Sequence, residues 1–84
     1  MMLAVCTDTD VGSYVLVEYD GIHYPGIIED CKADEYLVNV MEHCRGGWRW
    51  PRRKDAVWYK TINKILSPPV PVNSRGLFVF NDAM

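Results

Sequence analysis

Ser13-Tyr-Val-Leu-Val-Glu-Tyr19 is a run of β-branched and aromatic residues closed by Asp20-Gly21, the dipeptide of a tight hairpin turn. Ile22 to Asp30 then reads as the returning strand, with Ile22, Tyr24, Gly26 and Ile28 on one face. Pro25-Gly26 inside it predicts a sharp bend or an edge position, because proline cannot donate to a ladder. Working outward, Asp34 to His43 predicts a third strand. Tyr36, Val38 and Val40 take its inner face, and Glu42 ends that row. Leu37, Asn39, Met41 and His43 take the other face.

Arg45-Gly46-Gly47 marks a turn, Trp48-Arg49-Trp50 a strand with its arginine toward water, and Pro51 a stop. Ala56 to Tyr59 is a further strand with Trp58 expected in the core. Thr61 to Lys64 is expected to form a helical or 3₁₀ turn, and Ile65-Leu66 a last short strand. No long segment shows the spacing of an amphipathic helix, so the chain is expected to be all-β. Five short, bent strands with a 3₁₀ turn suggest a small SH3-like barrel over residues 11–67. Residues 68–84 are expected to be a Pro-rich connector, extended at Pro68 to Val72, and a strand-like tail at Gly76 to Phe80. That apolar tail needs cover, either from the barrel or from a second copy of the chain.

With 84 residues there is room for one domain and little for a deep cleft. No apolar run approaches the ~20 residues that cross a membrane, so no membrane partner is expected. Met1 to Cys6 is apolar but short and lacks a basic start, unlike a signal peptide. Cys6, Cys31 and Cys44 form an odd, widely spaced set, read as reduced thiols in cytoplasm or nucleus. His23, Cys31, His43 and Cys44 lack a zinc spacing, and no metal or cofactor is expected. His43–Cys44 and His23–Cys31 can be drawn as thiol–imidazole pairs, but neither has an orienting third residue. No catalytic residue is assigned, and the chain is read as not an enzyme.

Charge is uneven. Arg45, Arg49, Arg52, Arg53 and Lys54 fall within ten residues, while the other seventy-four hold four basic and eleven acidic side chains, a balance of −7. The basic segment, interleaved with Trp48 and Trp50, is suited to phosphates and stacked bases or to an acidic partner; it also reads as a solvated hairpin. The acidic remainder opposes a long polyanion.

Val11 to Ile28 resembles the opening of a Tudor domain, with an aromatic ending the first strand, a tight turn, a Tyr-Pro pair and a small residue at the bend. Glu35 to Glu42, Trp50-Pro51, Asp55 and Trp58-Tyr59 leading to Ile65-Leu66 extend the resemblance to about residues 11–69. It implies a Tudor-like module that holds a methylated lysine or arginine of a protein tail in an aromatic cage, commonly in the nucleus. Position by position, the resemblance implies Tyr19 and Tyr24 as cage rings, Glu42 as an acidic member, and Trp48 or Trp50 as a third ring. Val40-Met41-Glu42-His43 stands where the family carries another aromatic. The other readings are binding of DNA or RNA through residues 45–54, and self-association through residues 76–80. Core packing of the tyrosines and tryptophans is the plain alternative to a cage.

Overall fold

A computed structural model describes residues 10–32, 34–72 and 75–82. The chain is all-β, arranged as two antiparallel sheets. Strands β1 (Tyr14–Tyr19), β2 (Ile22–Lys32) and β3 (Glu35–Val40) form a meander, joined at its far edge by β6 (Ala56–Tyr59). The short β7 (Lys64–Leu66) returns beside β1, giving the order β6-β3-β2-β1-β7. Between β3 and β6 the chain leaves this sheet. There it makes the hairpin β4 (Glu42–Cys44) and β5 (Gly47–Arg49), which pairs with β9 (Phe78–Val79) and then β8 (Val70–Pro71).

The β1–β2 turn forms as its sequence dictates: Asp20 and Gly21 both take positive φ, +54° and +80°, which a tight hairpin requires. Its register sets Val17 opposite Tyr24 and Tyr19 opposite Ile22. Pro25-Gly26 sits not at an edge but in a central strand, buried between β1 and β3. Gly26 is required there, since a Cβ would stand 2.6 Å from both the Asn39 carbonyl oxygen and a Val38 methyl. A bulge between Ile28 and Asp30 adds a second bend.

The first sheet does not close by hydrogen bonds, yet it is strongly curled. Tyr59 ends β6 at one edge and Lys64 begins β7 at the other, five Cα steps later. Five steps reach at most about 18 Å, while the edges of a flat five-stranded sheet lie about 19 Å apart before any offset along the strands. Only curling lets residues 60–63 make that crossing, and the Asn63 amide donates to the Leu16 carbonyl at 2.8 Å as it does so. Residues 60–63 have no helical or 3₁₀ conformation, contrary to the expected turn.

Val15, Val17, Ile28, Val38 and Val40 fill the concave face, with Tyr24, Cys31, Tyr36, Tyr59 and Ile62 packed around them. Three successive residues of β1, Val15 to Val17, are buried, so both faces of that strand are covered. On the outer side Phe80 meets Tyr14 edge-on, ring centroids 6.1 Å apart. The tail thus folds back on its own chain: β9 pairs β5 on one edge and β8 on the other, and Asp82 accepts from the Ser67 amide. The extended Pro68–Val72 segment supplies β8.

Three further positions differ from the sequence reading. The expected strand over residues 34–43 breaks at Met41, which is buried at the crossover while Glu42 starts β4. Trp58 is opposite Leu37, on the face away from Val38; it is half-buried outside the core, with Lys32 Nζ 4.7 Å above its ring. Cys31 is disulfide-bonded rather than a thiol, and Cys44 is free. No helix of the described residues is long and apolar enough to cross a membrane.

Candidate binding site

A cavity of about 440 Å³ opens at the end of the first sheet where the β1–β2 hairpin, the β3–β4 crossover and β6 meet. Three tyrosines line it. Tyr19 ends β1 and stands at the rim, 62% exposed. Tyr24, two positions past Ile22 on β2, and Tyr59, at the end of β6, are half-buried and pack against the core cluster. Val40, Met41 and Val57 make its apolar wall.

Two carboxylates complete the lining, Glu42 and Asp55. Each is fixed by the chain beside it: Glu42 opens β4 directly after buried Met41, and the Asp55 carbonyl accepts from the Val40 amide at 2.9 Å. Burial pushes the Tyr59 hydroxyl pKa above its ordinary value; the negative charge of Asp55 and the neighbouring Tyr19 and Tyr24 push in the same direction. Tyr59 therefore stays neutral through the physiological range and offers an uncharged ring face beside two acids.

Of the five residues the family resemblance implies for a cage, the structure brings Tyr19, Tyr24 and Glu42 together here and places the two tryptophans elsewhere. Trp48 meets Tyr24 edge-on with ring centroids 6.4 Å apart, and His43 packs edge-on against Trp48 at 5.1 Å. It props Tyr24 without lining the cavity. Trp50 lines a separate groove. Tyr59 and Asp55 enter instead, and neither was singled out as a ligand residue from the sequence. The available signal was period-two alternation: Val57 and Tyr59 stand opposite Val38 and Tyr36, on the concave face.

That second groove, about 820 Å³, lies beyond Glu42 and Asp55, which line both depressions. Arg49, Arg52, Arg53 and Lys54 line it together with Trp50 and Pro51, and the tail adds Arg75 and Gly76 from across the chain. Arg45 stands outside it, in the β4–β5 turn. Arg49 Nε donates to Glu42 Oε2 at 2.5 Å, and this bond raises the Arg49 pKa above its ordinary value. Lys54 pairs with Glu29 at 2.7 Å. Arg52 and Arg53 have no ion-pair or hydrogen-bond partner among the described residues.

The thiol–imidazole pairs drawn from sequence are not assembled. Cys31 carries a disulfide, His23 Nε2 lies 3.5 Å from Glu18 Oε1, and the His43 ring packs on Trp48. Among the described residues no group of three or more His, Cys, Asp or Glu side chains gathers to hold a metal ion. Compared with known proteins, the chain matches no family model, no curated protein and no solved structure.

Proposed function

We propose that this chain is a non-catalytic recognition module that holds a methylated lysine or arginine side chain of a protein tail in the Tyr19–Tyr24–Tyr59 cavity, with Glu42 and Asp55 as its counter-charge. The carrying observation is the convergence of three tyrosines from three strands with two carboxylates around one cavity of about 440 Å³. A methylated ammonium keeps its positive charge but sheds water more readily than a bare one. Ring faces then contribute about 0.5–2 kcal/mol per cation contact, and the cavity volume falls in the ligand-pocket range of roughly 300–1,000 Å³. In the same reading the curled sheet is an SH3-like, Tudor-like barrel. Its support is the order β6-β3-β2-β1-β7, a meander whose last strand returns beside its first. A nuclear location is part of this proposal and rests on the ligand class alone, because the disulfide at Cys31 withdraws the reduced-thiol argument for it.

The test is a heteronuclear NMR titration with trimethyllysine and dimethylarginine peptides and their unmodified counterparts. Shifts at Tyr19, Tyr24, Tyr59 and Glu42 with methylated peptide alone are expected. Equal shifts with unmodified peptide, or none with either, would overturn the reading.

The basic groove favours a second reading, binding of DNA or RNA, in which Trp50 stacks on a base while Arg52 and Arg53 contact phosphates. Short single-stranded and duplex oligonucleotides belong in the same titration. A steep loss of binding with rising salt, abolished by changing Arg52 and Arg53 together to Gln, would move the assignment there.

A further inference from the structure

We propose that the basic groove takes the phosphate of a phosphorylated residue lying on the same peptide as the methylated side chain, so that the module reads two marks at once. This rests on the cavity being a methyl-cation site. Four observations carry it. The cavity and the groove share Glu42 and Asp55, so an extended peptide leaving one enters the other. The groove gathers five cationic side chains against those two acids, including Arg75 brought in by the folded-back tail. Arg52 and Arg53 have no partner among the described residues and keep their planar donor forks available. Arg49 meets Glu42 through its Nε, and a guanidinium carries four further N–H donors on its Nη groups.

The chemistry favours a single phosphomonoester over a polyanion. A phosphorylated side chain carries about −1.5 to −2 charges and three acceptor oxygens, which suit two or three guanidinium groups. A long nucleic acid would have to pass the acidic remainder of the chain, with its balance of −7. Because the two depressions adjoin and an extended chain advances about 3.3–3.6 Å per residue, the phosphate belongs within a few residues of the methylated side chain. Phosphate at Arg49 also competes with Glu42 for that guanidinium. Occupying the groove therefore releases carboxylate charge to the cation in the cavity, and the coupling is reciprocal.

The experiment uses four short designed peptides of one sequence: unmodified, trimethyllysine alone, phosphoserine alone two residues away, and both marks. Binding is measured by calorimetry and NMR to the whole chain and to the double variant Arg52→Gln, Arg53→Gln, whose changes lie on an exposed loop. The doubly marked peptide is expected to bind roughly tenfold more tightly than the trimethyllysine peptide. That gain should vanish in the double variant while trimethyllysine binding stays. Equal or weaker binding of the doubly marked peptide by the unaltered chain overturns the proposal even if the cavity reads methylation. Binding of phosphoserine peptide at Arg52 and Arg53 with no response to methylation sinks the cavity reading and, with it, the two-mark proposal. Tighter binding of a single-stranded oligonucleotide than of the doubly marked peptide, lost in the double variant, overturns it in favour of nucleic acid.

Discussion

Arg49 Nε and Glu42 Oε2 lie 2.5 Å apart at the wall between the tyrosine cavity and the basic groove, facing each other across the β4–β5 pair where their Cα atoms are in register. The pair is solvent-exposed, so its contribution to folding is small. On the proposed reading its position couples the two depressions, because whatever engages Arg49 from the groove side alters the charge Glu42 presents to the cavity.

Glu42→Gln should therefore weaken binding of a trimethyllysine peptide by roughly fivefold with no resolvable change in melting temperature. Arg49→Gln should leave that binding equal or stronger, since Glu42 is then unpaired. NMR titrations of both variants decide; the same loss in each would show that the pair serves only to hold the β4–β5 hairpin.

Tyr59 supplies the ring from the far edge of the sheet. Tyr59→Phe should retain methyl-cation binding, whereas Tyr59→Leu should lose about tenfold of it, measured by calorimetry at neutral pH.

Tyr59 also sets a pH dependence. Its folded-state pKa is raised above the ordinary tyrosine value by burial first and then by Asp55. Below that ordinary value both folded and unfolded chains hold the proton, and stability does not respond to it. Above it the unfolded chain ionises first, so stability falls as pH rises toward the folded pKa. Chemical denaturation across the alkaline range should show that decline and should show less of it in Tyr59→Phe.

Two glycines test the architecture. Gly26→Ala drives a methyl into the Asn39 carbonyl and Val38, and should destabilise the chain by about 2–3 kcal/mol. Gly47→Ala meets the Phe78 carbonyl and Leu77, so it should push β9 off β5. Amide exchange would then rise in β8 and β9 while the first sheet keeps its protection. If exchange rose equally throughout, the two sheets would be one cooperative unit.

Much of the first sheet was legible because it is written in local signals. Asp20-Gly21 fixes a hairpin, and the alternation of Tyr36, Val38 and Val40 marks one buried face. Pro25-Gly26 announced a bend but not its place, since an edge strand and a curled central strand explain the same two residues. Trp58 is expected in the core from sequence, whereas register with Leu37 turns it outward.

Local sequence signals carry the all-β character, the β1–β2 hairpin and the position of a charged segment at 45–54. These follow from backbone geometry over a few residues. Long-range packing sets the rest: the chain leaves the first sheet at Met41, the tail returns to cover β1 and complete the basic groove with Arg75, and Tyr59 and Asp55 join Tyr19 and Tyr24. The reason is that residues 60–63 must link opposite edges of one sheet. The curling this imposes brings β6 round to the hairpin, and no local pattern encodes a contact made by bending the whole sheet.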